Sequence, residues 1–348
     1  MDDKNNVAVI GATGYTGQEL VRLLLGHPGV RITSITSRRN TGENYAELFP
    51  RFWNYELPEI EKFDPKKIAK KATLAFMCLP HAQSQQAVAK ALEAGLKVID
   101  LSADFRLRKQ ELYEKWYGKH SRPDLIKKAV YGMPELYREK IRKAALVANP
   151  GCYPTGVILG LAPLFRAGLA DTGHVIADMK SGVSGAGRKE SLAFSYCEVN
   201  EAMRPYNLYA HRHTPEMEQE LSIAAGKKVR VTFSPHLAPM NRGILGTIYL
   251  TLTGKTTAAA LHKILSDAYQ HEPFVQVLPP GELPCVSSVR GTNFVDIAVT
   301  LASSGKEAIV STAVDNLVKG ASGAALQNMN IMLGMPEEQG LMQAPLRP

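Results

Sequence analysis

Cysteine is scarce in this chain and nowhere paired. Cys78, Cys152, Cys197 and Cys285 are its four cysteines, spread through 348 residues. No CxxC occurs, which argues against a zinc ribbon or a thioredoxin-type motif. A chain this long buries a large core without a disulfide or metal staple, so free thiols and a reducing compartment are expected. No apolar run reaches the length of a membrane span. The N-terminus, MDDKNNVAVIG, is acidic where a secretory signal is basic and has no long apolar core, so a cytoplasmic location is expected. The formal net charge is +8, yet there is no basic run of five. That argues against nucleic-acid binding and leaves small anionic ligands to explain the excess. Internal repeats and low-complexity segments are absent as well. With 45% hydrophobic and 21% charged residues, the composition is that of a soluble globular protein of two domains or one large one.

What is present falls into two rhythms. In the first half, strand-like stretches (residues 7–10, 31–36, 73–79, 97–101 and 145–148) alternate with helical ones (18–25 and 81–94). This predicts an α/β domain with a parallel sheet and helices on both faces. Beyond Gly168 strand-like runs dominate, over residues 174–180, 228–233, 243–253 and 293–302, with helices near 215–225 and 257–270. This predicts an α+β domain on a mostly antiparallel sheet. The expected domains are 1–150 and 151–312. A helix rich in small residues, at about 313–333, is expected to fold back onto the first domain. The Pro- and Gln-rich tail from Pro336 is expected to be poorly ordered.

VAVIGATGYTGQEL reads as a strand, a turn and a helix. Gly11, Gly14 and Gly17 have the spacing GxxGxxG, a variant of the dinucleotide fingerprint, with Thr13, Tyr15 and Thr16 between them. Glycines allow a tight turn and close approach to a pyrophosphate, and the helix start offers free N–H groups and a positive dipole end. A tight turn without ligand is the bland alternative. An NAD site would carry an acidic residue after the second strand. This chain instead carries Ser37, Arg38 and Arg39, a hydroxyl and two guanidinium groups that suit a 2′-phosphate, so NADP(H) is predicted over NAD(H).

NPGCYPTG, from Asn149 to Gly156, places Cys152 where a strand-like run meets an apolar helix that Pro154 can open and Pro163 is expected to kink or break. A thiol at a helix start meets the positive dipole end, which favours the nucleophilic thiolate. Gly151 and Gly156 are expected to admit substrate. Cys78, Cys197 and Cys285 read as structural. His211 and His213, just ahead of the helix that Thr214 can cap, are the candidate acid or base, and alternation in an extended segment would put them on one side. A metal held by the HxH pair is the rival, without an obvious third ligand. Arg106 in LSADFRL and Arg188 in SGVSGAGRK can reach an anion, the second within a possible backbone nest.

GATGYTGQEL, LPH, SADFRL, YGMPEL, ANPGCYPTG, HRHTPE and RGIL occur in this order, and the chain resembles the N-acetyl-γ-glutamyl-phosphate reductase family of arginine biosynthesis from about Val7 to Asn328. The resemblance implies a Rossmann-type domain followed by a catalytic and dimerisation domain, as in aspartate-semialdehyde dehydrogenase. It implies reduction of an acyl phosphate by NADPH through a thioester on Cys152. His213 is the favoured proton carrier, with His211 a substrate contact or alternate base. It further implies that Arg106 and Glu216 line the substrate pocket and that Asn316, in the returning helix, lies near the nicotinamide. Pro80, Ser184 and Gly185 complete the candidate cofactor contacts, and Asn149 and Arg188 the candidate substrate contacts. A homodimer or homotetramer is expected, with no nucleic-acid or membrane partner. Another phosphorylating semialdehyde dehydrogenase, with a free or carrier-bound acyl group, and a non-catalytic NADP-binding sensor remain the alternatives.

Overall fold

The structure, a computed structural model, describes residues 4–188 and 190–346. Two compact units result. Met1–Pro150 and Ala321–Met342 form the first, and Gly151–Gly320 with Gln343–Pro348 the second.

The first unit holds a seven-stranded sheet of β1 (Asn5–Ile10), β2 (Val30–Thr36), β3 (Ile60–Glu61), β4 (Leu74–Met77), β5 (Lys97–Asp100), β6 (Val130–Tyr131) and β7 (Leu146–Ala148). Its order is β3-β2-β1-β4-β5-β7-β6, and every pairing is parallel. Val7, Ala8, Val9 and Ile10 are all at most 1% exposed, as a strand covered on both faces requires. The strand order reverses between β1 and β4, and a crevice at such a switch point is where open α/β sheets take ligands.

The returning helix is shorter than the sequence suggested. It spans Gly323–Met332, because the chain stays in β14 (Glu307–Val314) of the second sheet and then makes a π-turn over Val318–Ser322. Residues 337–341 of the tail are fastened to the first unit. Leu341 is fully buried, Arg138 pairs with Glu337 at 2.7 Å, and Asn330 donates to the carbonyls of Glu337 and Gln339 at 3.0 and 2.9 Å. These contacts supply the order that its composition argued against.

The second unit has a mixed sheet of β8 (Ala170–Ser181), β9 (Arg204–Pro205), β10 (Val231–Leu237), β11 (Ile244–Leu252), β12 (Val275–Val277), β13 (Val295–Leu301) and β14. The order is β12-β13-β14-β11-β8-β10-β9, with β8–β10 and β12–β13 parallel and the other pairs antiparallel. The helix Cys152–Arg166 packs on β8, β11 and β14. It is apolar nearly all round and runs through Pro163 without breaking. A Cβ on Gly156 would lie 2.9 Å from Thr312 Oγ1, and one on Gly160 would lie 3.0 Å from Val310 Cγ1. Gly156 therefore serves helix-to-sheet packing rather than substrate approach. On the other side of this sheet, Ile176, Tyr249 and Ile309 stand in one cross-strand row, and Tyr249 is 41% exposed.

Candidate active site

In the first unit the glycine loop is built by backbone. Gly11 has φ +82°, and a Cβ there would lie 2.7 Å from the Cys78 carbonyl oxygen. A Cβ on Gly17 would lie 2.7 Å from Ala12 Cα. These two glycines allow the turn and the close packing of helix on strand. Gly14 differs: it precedes the helix Tyr15–Leu25 with no side-chain cap, and a Cβ there would meet nothing within 4 Å. Open space thus lies at the start of that helix, where an anion site needs it. Ser322 Oγ donates to the Thr16 carbonyl at 2.8 Å, so the returning segment steadies the same turn.

At the end of β2, Thr13 Oγ1 and Ser37 Oγ are 3.2 Å apart, and Arg38 and Arg39 are exposed. Arg38 Nη1 donates to Gln83 Oε1 at 3.0 Å. No carboxylate occupies the place that would hold ribose hydroxyls in an NAD site, and the donors present match a phosphate. Pro80 is exposed on the loop that follows β4.

Arg106 and Asn149 have scaffold roles that their motifs did not reveal. Arg106 is 6% exposed. Its Nε donates to the Asn149 carbonyl at 2.7 Å and its Nη2 to the Leu101 carbonyl at 2.9 Å. Asn149 Nδ2 donates to the Ala321 carbonyl at 2.9 Å, and its Oδ1 accepts from Asn328 Nδ2 at 3.1 Å. Asn149 is expected from the resemblance to touch substrate; the structure uses both ends of its amide to fasten the returning chain.

In the second unit Cys152 is the first helical residue and Gly151 the N-cap, a position where the dipole lowers the cost of a thiolate. A Cβ on Gly320 would lie 2.9 Å from the Cys152 Cβ, so only glycine leaves room there. Glu216, 1% exposed, accepts from the Gly151 N–H at 2.8 Å. That contact fixes the loop ahead of the thiol, where a substrate contact was expected.

Tyr153, adjacent to Cys152, draws the two histidines together. Its ring lies edge-on to His211 at 5.5 Å and to His213 at 5.9 Å, and the two imidazoles are 4.9 Å apart. The pair is joined by a turn, not by an extended strand: Thr214 N–H donates to the His211 carbonyl at 3.1 Å. His213 occupies the N-cap of the helix Thr214–Ala225. Thr214 is thus helical rather than capping, and its Oγ1 is buried without a partner.

His211 Nδ1 accepts the His213 backbone N–H at 3.1 Å, which places the proton of a neutral ring on Nε2. Burial, and then the Arg212 charge, push its pKa down to about 4. Tyr206 OH stands 3.5 Å from His211 Nε2 and 2.8 Å from Tyr153 OH. Burial raises both tyrosines well above the ordinary phenol value, so the trio is uncharged at neutral pH. Cys78 is likewise pushed far up by burial, as a structural thiol should be.

Ser184 and Gly185 lie in the turn Val183–Ala186 after β8. Asn316 falls between β14 and the π-turn, ahead of the returning helix. Its Nδ2 donates to Ser184 Oγ at 3.0 Å, and its Oδ1 accepts from the Gly243 N–H at 2.7 Å. Beside it, fully buried Asp315 accepts from Arg242 Nη2 at 3.1 Å and from the Gly291 N–H at 2.6 Å. Arg188 is exposed. Tyr153, Tyr206 and Asp315 are functional neighbours that no sequence motif marks. Adjacency to Cys152 was the only signal for Tyr153, and the other two had none.

Over 344 residues, and 99% of each chain, the protein is 52% identical to the N-acetyl-gamma-glutamyl-phosphate reductase of Geobacter metallireducens. It is 50% identical over 343 residues to that of Geotalea daltonii, covering 98% of this chain and 99% of the relative. The chain belongs to the N-acetyl-gamma-glutamyl-phosphate reductase family. Residues 6–144 match the family model "Semialdehyde dehydrogenase, NAD binding domain", and residues 152–316 match "Semialdehyde dehydrogenase, dimerisation domain". Aspartate semialdehyde dehydrogenase II of Vibrio cholerae shares the fold, with a TM-score of 0.73 at 18% identity over 95% of this chain and 99% of that one. Among the described residues, no helix of this reductase-family chain is long and apolar enough to cross a membrane.

Proposed function

We infer that this chain reduces N-acetyl-L-glutamyl 5-phosphate to N-acetyl-L-glutamate 5-semialdehyde and inorganic phosphate, with NADPH as hydride donor. The observation that carries this reading is a thiol on the first turn of a buried helix, next to a tyrosine ring that holds two histidines, in a chain half identical to reductases of that name.

Cys152 attacks the acyl carbon as thiolate. A C–S bond forms, the C–O bond to phosphorus breaks, and phosphate departs with the electron pair. When bound, the nicotinamide supplies the hydride that reduces the thioester. His213 protonates the carbonyl oxygen as it gains charge, then takes the proton back as the C–S bond breaks and aldehyde and thiolate separate. His211, held neutral, keeps His213 in place and moves no proton. Gly11, Thr13, Gly14, Tyr15, Thr16 and Gly17 receive the pyrophosphate, and Ser37, Arg38 and Arg39 the 2′-phosphate. Pro80, Ser184, Gly185 and Asn316 serve the nicotinamide half. Arg106 and Arg188 supply positive charge for the anionic substrate. The protein works in the cytoplasm as a homodimer or homotetramer, with the Ile176, Tyr249 and Ile309 face of the second sheet covered by another copy.

The reverse reaction tests the chemistry. N-acetylglutamate semialdehyde, phosphate and NADP+ together should raise the nicotinamide absorbance, and omission of any one should abolish the signal. Turnover of aspartate semialdehyde instead would reassign the substrate. NADPH binding without turnover of either aldehyde would leave only the sensor reading.

A further inference from the structure

The loop after β4 crests the C-terminal edge of the first sheet. Pro80, His81, Ala82 and Gln83 are all exposed there. Nevertheless Ala82 has φ +65°, a left-handed conformation that side-chain-bearing residues avoid and glycine adopts freely. Something outside the loop must hold it.

The residues that hold it come from the segment after β5. The Ala82 N–H donates to Asp104 Oδ1 at 2.9 Å. The Ala103 N–H donates to His81 Nδ1 at 3.0 Å. Asp104 is fully buried and is itself braced from behind. Tyr113 OH donates to the same Oδ1 at 2.7 Å and accepts from Gln85 Nε2 at 2.9 Å. His120 Nδ1 accepts the Arg122 N–H, which leaves its Nε2 to donate to the Asp104 carbonyl at 2.8 Å.

As a purely structural device the arrangement is poor. Asp104 Oδ2 is buried without a hydrogen-bond partner, and a second buried carboxylate, Asp100, is close enough that Asp104 helps to raise it. Unpaired buried oxygens and like charges cost stability. A costly internal group that fixes an exposed, strained loop points to that loop's work. The loop also reaches the other half of the crevice, since Gln83 Oε1 accepts from Arg38 Nη1.

We propose that Asp104 is a positioning residue for the dinucleotide: by holding the Ala82 N–H it fixes the loop of residues 80–83 in the shape that receives the cofactor. It touches neither cofactor nor substrate. The inference rests on the reading of Gly11 to Gly17 as the dinucleotide loop.

The full-length enzyme is titrated with NADPH by nicotinamide fluorescence. Failure of the wild type to bind overturns the dinucleotide reading itself. Given binding, Asp104→Asn replaces a charged acceptor by a neutral one. It should raise the NADPH Kd and KM about tenfold while kcat stays within about threefold. Adding Ala82→Gly to that variant should recover most of the loss, because glycine takes this conformation unaided. Melting curves of both variants separate this from a fold defect, which would lower Tm and kcat along with affinity rather than affinity alone. An unchanged Kd in Asp104→Asn, or a double variant as weak as the single, overturns the proposal. Should Asp104→Asn not fold, exchange of the Ala82 amide hydrogen in the wild type decides. It should be slowed about a hundredfold relative to an open chain, and unprotected exchange overturns the proposal.

Discussion

The two units build their functional corners from different materials. The crevice of the first is made by main chain: glycines without Cβ atoms, helix-start N–H groups and a loop held in a left-handed turn. The corner of the second is made by side chains that hold one another, with Tyr153 against two imidazoles and Glu216 beneath the Gly151 amide. The first can bind a large polyanion with few side chains of its own. The second can cleave and form bonds but depends on each neighbour staying in place. Substitutions should therefore separate binding from chemistry by unit.

The sharpest break falls on the thiol. Cys152→Ser should lower turnover at least about a thousandfold, because serine lacks the thiolate's nucleophilicity at neutral pH. NADPH affinity should stay within about twofold, as a stopped assay beside a fluorescence titration would reveal. Equal loss in both would mean that the two corners are not separable.

His213→Asn should cost about a hundred- to a thousandfold in kcat, whereas His211→Gln should cost less and leave the pH–rate profile in place. Stability reports on His211 independently. Its ring titrates near 6.5 when unfolded and near 4 when folded. The unfolded chain therefore takes up the proton first as pH falls. The stabilisation from the neutral ring is complete above about pH 6.5 and is lost as pH drops towards about 4. Denaturant melts of His211→Gln should show a shallower loss than the wild type across that window. A parallel pair of curves would remove His211 from the buried trio.

Arg38→Ala with Arg39→Ala should raise the KM for NADPH about ten- to a hundredfold, with NADH almost unaffected. Equal penalties for both nucleotides would place the 2′-phosphate elsewhere. The smallest effect compares two glycines. Gly11→Ala should lose about 1–3 kcal/mol of stability, because its φ is positive and the new Cβ meets a carbonyl. Gly14→Ala should melt like the wild type and bind NADPH more weakly, since its Cβ enters only the open space before the helix.

The same division governs how much could be read without coordinates. Glycine spacing after an apolar strand, and Ser37, Arg38 and Arg39 in the place of an acidic residue, carry their meaning in order along the chain. So do Cys152 before Pro154 and the HxH pair. What stayed hidden depends on partners far away in sequence. Glu216 lies 65 residues from the amide it accepts from, Asn149 lies 172 residues from the carbonyl it donates to, and nothing local marks either bond. β14 was lost because its alternation, Glu307 to Val314, runs directly into the small residues read as helix. The tail misled for a related reason. Proline and glutamine predict disorder only where nothing waits to receive them, and Arg138 and Asn330 do.

The returning helix has a consequence for how the protein is made. Lys97 Nζ donates to the Met332 carbonyl at 2.7 Å, and Asn328 Nδ2 to the Gly132 carbonyl at 2.8 Å, so the first unit is finished by residues translated only after the whole second sheet. On the ribosome the residues up to Pro150 emerge with a slot in their flank and must wait, half-closed, until β14 has been made and the piece that fills it follows. A transcript cut short between the nucleophile and Gly320 yields a chain whose earlier-made unit is itself left incomplete.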